Sequence, residues 1–514
     1  MINYWWVTRP KRKLNSIPEV LSTFAELSLN KQWEGERSSH LSLEEALEKD
    51  GLKRRGERRD QGGGGGRTYK AWLTSLGLVF TQKSTKEIKL TLAGEAILNG
   101  DSPVAVLKEQ VLKYQFPSSF SLGRSVNVSA RFKIHPFPFL LKLLMDSRIQ
   151  ELSEKEIAYI VAVEAENESE KCYEHIVHRI LAYRNYGYSI LPENFNELYG
   201  IKEDTTNLTD VANTMMNWLD YTQLTFREKG KIYVVPEKAD EVAKIIEKPL
   251  PFIDRPGDHE FFQRKYGIDP KHNKDTRNLS DSKTVTSTMI AEMQIVKAYI
   301  TLSLSKPINE INDVVVNAIA ESTGISEAFV EETLQRKYPC GSIGGFMAKY
   351  RDMAFKGRDE SIEFEKATAE LFHTVFGFQS THVGPIGLTP DVLILSDSSG
   401  YAGIIDNKAY SRYSISNDHR NRMVHNYING IENYYSGALP LGFFTYIAGG
   451  FGTKIDSQIK SIASETGVHG SCINVHNMIE LVQKYDSNLH THSDLRKLFT
   501  VDRQILFNDF PALR

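Results

Sequence analysis

Residues 390–408 read Pro-Asp-Val-Leu-Ile-Leu-Ser-Asp-Ser-Ser-Gly-Tyr-Ala-Gly-Ile-Ile-Asp-Asn-Lys and contain two short apolar runs. The first run, Val392 to Leu395, follows Pro390-Asp391, and the second, Tyr401 to Ile405, ends in Asp406-Asn407-Lys408. The Ser, Asp and Gly residues between the runs favour a turn. The pattern therefore predicts two antiparallel strands joined by a short turn.

This hairpin would bring three charged side chains together. Side chains alternate along a strand, so Asp406 and Lys408 are expected on one face, with Asp391 close by on the neighbouring strand. Two carboxylates beside an ammonium would give Mg²⁺ an oxygen site, and hydrolysis of a phosphodiester needs such a site. The alternative is that the two aspartates are ordinary strand-end residues and the lysine is solvated, since Asp-x-Lys also occurs by chance.

The composition describes an ordinary globular protein of several domains. The 514 residues are 41% hydrophobic and 25% charged, and this length predicts about two to four domains. The three cysteines are far apart and form no CxxC pair, which argues against a zinc ribbon or a disulfide framework and favours a reducing compartment. The sequence contains neither a long apolar run nor a signal peptide, so we expect a cytoplasmic protein without a membrane partner.

The charge distribution indicates a polyanionic partner, although the net charge is only −3. Residues 51–70 carry seven cations against two anions and surround the glycine run Gly62 to Gly66. This run is not a nucleotide-binding loop, because no Gly-Lys-Ser/Thr ends it. We predict a flexible basic loop that contacts a DNA backbone, with a disordered tether as the alternative. The predicted DNA-binding residues are Arg54, Arg55, Arg58, Arg59, Arg67 and Lys70.

Two segments of the chain repeat one pattern. Residues 71–80 and 217–226 both contain Trp-Leu, four residues, Leu, one residue and Phe, and a polar turn, a second short strand and a helix follow each. A helix followed by a two-stranded wing is typical of a winged helix-turn-helix unit, which places one helix in the major groove of DNA. The alternative is a buried Trp-Leu pair in the core of any small α+β module.

The remaining chain suggests four parts. Residues 250–280 are polar and contain prolines, and residues 281–335 have apolar residues at helical spacing. We predict two winged-helix-like DNA-recognition domains, a helical connector and a C-terminal domain, at residues 1–150, 151–280, 281–338 and 339–514.

From about residue 340 the chain resembles the cleavage domain of the FokI family of type IIS restriction enzymes. The similarity rests on residues 359–365, Glu370-Leu-Phe, Val375 to Phe378, His382-Val-Gly, Pro390-Asp391, Gly403 to Ser411 and Met423. The first 250 residues are similar to the recognition half of the AlwI and BstNBI group. That similarity is carried by Leu92 to Leu98, Leu112 to Ser118 and Ile134-His-Pro.

The resemblance implies a PD-(D/E)xK nuclease domain, an α/β fold with a mixed central sheet, joined to a recognition region. Asp391, Asp406 and Lys408 would take the catalytic positions, with Glu370 as the helix carboxylate that often completes such sites; Glu365 is the weaker choice on the same helix. Asp391, Asp406 and the backbone carbonyl of Asn407 would hold Mg²⁺.

The implied function is that of a bacterial, cytoplasmic type IIS endonuclease of a restriction–modification system. It would cut double-stranded DNA at a short offset from an asymmetric site, with a transient homodimer forming through the nuclease domain. Asn421 and His425 stand where the FokI cleavage domain pairs an acid with an arginine, so a strand-specific nicking enzyme or the large subunit of a heterodimer stays open. The sequence also leaves open a non-enzymatic winged-helix regulator and a structure-selective or modification-dependent nuclease.

Overall fold

The computed structural model describes residues 1–56, 61–122, 127–199, 207–279, 281–282, 284–384 and 388–513. The chain forms two compact units. The first comprises Met1–Thr301 and Ile311–Pro339, and the second comprises Leu302–Glu310 and Cys340–Arg514. The division of the first unit into two recognition domains and a connector stays a prediction. Within the described part of the chain, every helix is too short or too polar to cross a membrane.

The first unit is mostly helical. Its two small sheets contain β1 (Val79–Thr81) with β2 (Ile88–Leu90), and β3 (Glu151–Ser153), β4 (Thr225–Glu228) and β5 (Lys231–Val234). Its helices, of which the last turn of α14 is counted with the second unit, are α1 (Ile17–Ser28), α2 (Arg37–Lys49), α3 (Gly64–Ser75), α4 (Leu92–Leu98), α5 (Pro103–Leu112), α6 (Pro136–Met145), α7 (Glu154–Glu156), α8 (Ala162–Glu164), α9 (Glu170–Tyr186), α10 (Phe195–Leu198), α11 (Asn207–Tyr221), α12 (Ala239–Glu247), α13 (His259–Tyr266), α14 (Ser287–Ser305), α15 (Asp313–Thr323) and α16 (Glu327–Lys337).

Both sequence repeats form a helix followed by an antiparallel hairpin. Helix α3 leads into β1 and β2, with Val79 opposite Leu90, and α11 leads into β4 and β5, with Thr225 opposite Val234. In the second repeat β3 also pairs with β5, which gives the strand order β3-β5-β4. Trp72 and Trp218 are completely buried, so the repeated Trp-Leu pair forms core in both copies.

The glycine run of the first unit is not the flexible loop that the sequence predicted. Gly63 has a φ of +80° and caps α3, and Gly64 to Gly66 form the first turn of that helix. A Cβ atom at Gly66 would collide with the backbone oxygen of His40 on α2. These glycines therefore serve the close packing of α2 against α3, which local composition does not reveal.

The second unit is a mixed sheet covered by helices on both faces. Its strands are β6 (Gln379–His382), β7 (Val392–Ser396), β8 (Tyr401–Lys408), β9 (Leu441–Ala448), β10 (Gly470–Asn474) and β11 (Arg503–Gln504). Its helices are α17 (Gly344–Met353), α18 (Ser361–Thr374), α19 (Asn417–Asn421), α20 (Ile455–Thr466), α21 (Val475–Lys484) and α22 (His492–Phe499). A π-helical stretch, Arg422–Ile428, continues α19.

The strand order is β11-β10-β9-β8-β7-β6, with β6, β7 and β8 antiparallel and β8 to β11 parallel. The predicted mixed sheet is thus confirmed. One core cluster joins the sheet to α17, α18, α21 and α22, and the other joins it to α20 and the 417–428 helix. Successive residues of β8, such as Ile404 and Ile405, enter opposite clusters, as strand geometry requires.

Candidate active site

The predicted hairpin is present and brings the three charged residues together. Strands β7 and β8 pair antiparallel with Val392 opposite Ile405, so Asp391 lies at the end of the hairpin beside Asp406. The ammonium of Lys408 lies 2.7 Å from Oδ2 of Asp406. The backbone N–H of Asn407 donates a hydrogen bond of 2.6 Å to Oδ2 of Asp391. The open end of the hairpin therefore carries two carboxylates and one ammonium.

The charged groups of the site lie close together and are largely buried from solvent. Burial raises the pKa of Asp391 well above its usual value, and the negative charge of Asp406 raises it further. Burial alone would lower the pKa of Lys408, but the carboxylates of Asp406 and Asp391 outweigh it, and the net pKa is raised. Two close carboxylates resist simultaneous ionisation, so the arrangement favours an added cation.

The oxygen atoms at this strand end suit a divalent cation. Asp406 is 3% exposed, and its Oδ1 is buried without a hydrogen-bond partner in the part of the chain that the structure describes. Such an atom is costly to bury unless something binds it. Among the described residues, no three His, Cys, Asp or Glu side chains are grouped to hold a metal. Two carboxylates with a backbone carbonyl still fit Mg²⁺, which keeps several waters and takes oxygens from substrate phosphates.

Of the two glutamates on α18, Glu365 is the one whose charge acts on the site, and the catalytic role of Glu370 stays a prediction. The charge of Glu365 acts on both Asp391 and Lys408, and its Oε2 lies 3.0 Å from Nε2 of His382 on β6. Glu370 instead accepts a hydrogen bond of 3.3 Å from the hydroxyl of Thr374. Five residues on a helix differ by about 140° in direction, so the two glutamates of α18 lie on different faces of the helix.

A buried hydrogen-bond network lies on the opposite face of the same strand end. Nδ2 of Asn407 donates to Oγ1 of Thr368 at 2.6 Å, and the hydroxyl of Tyr350 lies 2.9 Å from the same oxygen. Thr368 in turn donates to the backbone oxygen of Phe364, one turn earlier in α18. Sequence reasoning missed Thr368 and Tyr350, because this contact between helix and strand leaves no local signal.

Comparison with known proteins separates the chain into two matched regions. The family model described as "AlwI restriction endonuclease" matches residues 74–338, which is just over half of the chain. The chain belongs to the AlwI restriction endonuclease family. The model described as "FokI, cleavage domain" matches residues 324–506. This AlwI-family enzyme is a type II site-specific deoxyribonuclease, and the predicted family resemblance is confirmed.

Solved structures resemble the AlwI-family enzyme only distantly. Restriction endonuclease FokI is 14% identical, with 99% of this chain and 100% of that chain covered and a TM-score of 0.29. FokI bound to DNA is 15% identical, with coverages of 98% and 100% and a TM-score of 0.28. The BpuJ1 endonuclease binding domain, in complex with pyrene- and phenanthrene-modified DNA, is 15% identical, with coverages of 51% and 95% and a TM-score of 0.35. No curated protein sequence matches the chain.

Those predicted DNA-binding residues of the AlwI-family enzyme that the structure describes lie around α2 and α3. Arg54 and Arg55 are exposed, and Arg58 and Arg59 fall outside the described residues. Arg67 and Lys70 lie one turn apart on α3. Desolvation lowers the pKa of Lys70.

An open recess of about 410 Å³ lies at the start of α3 in the same unit, and we call it the basic recess. Its lining includes Arg37, His40 and Arg67. Burial lowers the pKa of the His40 imidazole, and the positive charges of Arg67 and Lys70 lower it further. Sequence reasoning missed Arg37, which joins this surface through the packing of α2 on α3.

Proposed function

We propose that the protein is a type IIS restriction endonuclease that uses Mg²⁺ to hydrolyse double-stranded DNA at a short offset from an asymmetric site. The observation that carries the proposal is the cluster of Asp391, Asp406 and Lys408 at the open end of the hairpin, with a buried carboxylate oxygen that lacks a hydrogen-bond partner among the described residues. The chain belongs to a restriction endonuclease family, and this membership indicates DNA as the substrate of the cluster.

Each residue of the cluster has a distinct role in the proposed reaction. Asp391, Asp406 and the backbone carbonyl of Asn407 would hold the cation, which when bound stabilises charge on the phosphate and lowers the pKa of a bound water. Lys408 stays an ammonium beside Asp406, so it donates hydrogen bonds to the attacking water or a phosphate oxygen. Glu365 adds a carboxylate at the edge of the site.

Substitution at the strand end tests this proposal. Asp406→Ala should lower the single-turnover cleavage rate more than about a thousandfold, because several kcal/mol of transition-state stabilisation are lost. Binding to a cognate oligonucleotide, measured by fluorescence anisotropy without a divalent cation, should change little. A variant that cuts at the wild-type rate would place the chemistry elsewhere.

For recognition, we propose that both helix–hairpin repeats of the first unit are winged-helix modules and that α3 is the one that contacts bases or phosphates. Arg67 and Thr68 are exposed on α3. The polar face of α11 is engaged within the protein, since Asn207 bonds Arg9, Asp210 bonds Arg12, and Asn217 bonds Arg227. The second repeat therefore serves mainly as scaffold.

A second candidate is a strand-specific nicking enzyme or the large subunit of a heterodimer. The arginines of the 417–428 helix form ion pairs within the unit, Arg420 with Glu465 and Arg422 with Asp418 at 2.9 Å. A homodimer through this helix would have to form around those pairs. Supercoiled plasmid separates the candidates, because a nicking enzyme stops at open circles whereas a homodimer produces linear DNA at a rate that rises with enzyme concentration.

A further inference from the structure

We propose that Thr368 and Tyr350 are positioning residues that fix the catalytic strand end from behind the sheet. This inference rests on the proposed roles of Asp391, Asp406 and Lys408. Neither Thr368 nor Tyr350 faces the site, because Asn407, to which they are linked, alternates with Asp406 and Lys408 along β8. They would act on the reaction only through Asn407.

The hydroxyl of Thr368 is fully used by this network. It donates to the oxygen of Phe364, so its lone pairs accept from Nδ2 of Asn407 and from the hydroxyl of Tyr350. Thr368 and Tyr350 are completely buried, and Asn407 is 7% exposed. In this dry environment each bond is strong, and each lost bond leaves an unsatisfied polar group.

Asn407, which the hydroxyl of Thr368 holds in place, positions two groups of the site. The backbone N–H of Asn407 holds Oδ2 of Asp391, and its backbone carbonyl is the third proposed oxygen ligand. The anchor also ties β8 to α18 one turn after Glu365, so strand and helix carboxylates keep a fixed spacing. A freed Asn407 would let both neighbouring catalytic side chains shift, and small displacements of reacting groups cost large factors in rate.

A hydroxyl-specific substitution series tests the inference. Thr368→Val keeps the shape of the side chain and should lower the single-turnover rate about 10- to 100-fold, whereas Thr368→Ser should restore the rate to near wild type. Cognate DNA affinity without a divalent cation should not change, and half-maximal cleavage should require more Mg²⁺. Thr374→Val, the same substitution at a hydroxyl that bonds Glu370, is the matched control and should cut normally.

Coupling to Asn407 distinguishes this role from a general loss of stability. If Thr368 acts through Asn407, the double variant Thr368→Val/Asn407→Ala should be no slower than the slower single variant. Tyr350→Phe removes one hydroxyl from the same network and should slow cleavage without changing DNA affinity.

The inference is wrong if Thr368→Val cuts at the wild-type rate or if the serine variant is as slow as the valine variant. It is also wrong if the rate losses of Thr368→Val and Asn407→Ala multiply in the double variant. An unfolded valine variant leaves Tyr350→Phe to decide, and a wild-type rate there would overturn the role. Asp406→Ala in the same assay tests the proposed function separately. If Asp406→Ala still cuts DNA, the proposed active site is wrong, whatever the Thr368 variants show.

Discussion

The two glutamates of α18 offer a direct comparison between neighbouring carboxylates. Glu365→Gln should lower the cleavage rate about tenfold or more, because the lost charge acts on Asp391 and Lys408. Glu370→Gln is the matched control and should stay within about twofold of wild type. Single-turnover rates on one cognate duplex would decide, and a slow Glu370 variant with a normal Glu365 variant would reverse the assignment.

Asp391 is expected to trade stability for activity. Its desolvated carboxylate lies beside that of Asp406, and the folded protein bears the cost of this repulsion when no cation is bound. Asp391→Asn should therefore abolish cleavage and raise the melting temperature in EDTA, since Asn can still accept the hydrogen bond from Asn407. Mg²⁺ should raise the melting temperature of the wild type more than that of the variant. A variant that melts lower in EDTA would contradict this.

The residues of the hairpin were predictable and their supports were not. Asp391, Asp406 and Lys408 follow from the alternation of one strand and the length of one turn, which are local properties. The choice between Glu365 and Glu370 depends on which face of α18 packs on the sheet, and the local sequence does not fix that face. Thr368 and His382 contact the site region only through packing between elements distant in sequence.

The close contact of α2 with α3 should make the protein sensitive to an added side chain at Gly66. Gly66→Ala should destabilise the protein by about 1–3 kcal/mol, because the added methyl group meets the backbone oxygen of His40. Gly56→Ala is the control, since no described residue lies within 4 Å of a Cβ atom there. The melting temperature and the affinity for cognate DNA should both fall for Gly66→Ala and stay unchanged for Gly56→Ala. Equal melting temperatures would mean that α2 can move aside.

Helix α13 should make stability depend on pH. Burial, together with the positive charge of Lys70, lowers the pKa of His259, the first residue of α13, to about 4. The unfolded chain binds a proton near pH 6.5 and the folded chain resists it, so stability is complete above 6.5 and lost as pH falls toward 4. Between pH 7 and pH 5 the wild type should lose about 2 kcal/mol more than His259→Gln. Chemical-denaturation curves of both proteins at pH 7 and pH 5 measure these losses, and equal losses would contradict the prediction.

The order of the elements was easier to predict than their packing. The repeated Trp-Leu pattern correctly indicated helices followed by hairpins, because burial of a large aromatic residue and a polar turn are both visible in sequence. The five glycines suggested flexibility, since composition cannot show that a neighbouring helix would come within touching distance. The third strand β3 of the second small sheet also escaped notice, because it is separated from its partner β5 by more than seventy residues.

The first unit should carry the salt dependence of DNA binding. Arg67→Ala with Lys70→Ala should weaken binding and reduce the slope of log affinity against log salt by about 2, if both contact phosphates. Lys271→Ala removes an exposed cation that already pairs with Asp101 and should leave the slope unchanged. An unaltered slope in the double variant would mean that α3 lies away from the backbone. Loss of affinity for the cognate site alone would mean that these residues contact bases.

The path of the chain between the two units sets limits on engineering. Leu302–Glu310 is counted with the second unit although Ile311–Pro339 returns to the first. Ile308 is buried and pairs with Ser342, and Asn309 bonds the backbone oxygen of Thr374. A fragment that begins at Cys340 would therefore lack a segment, Leu302–Glu310, that is paired and hydrogen-bonded within the same unit. A chimaera that fuses foreign targeting sequence upstream of Leu302, with residues 311–339 replaced by a neutral spacer, respects the architecture better than a single splice.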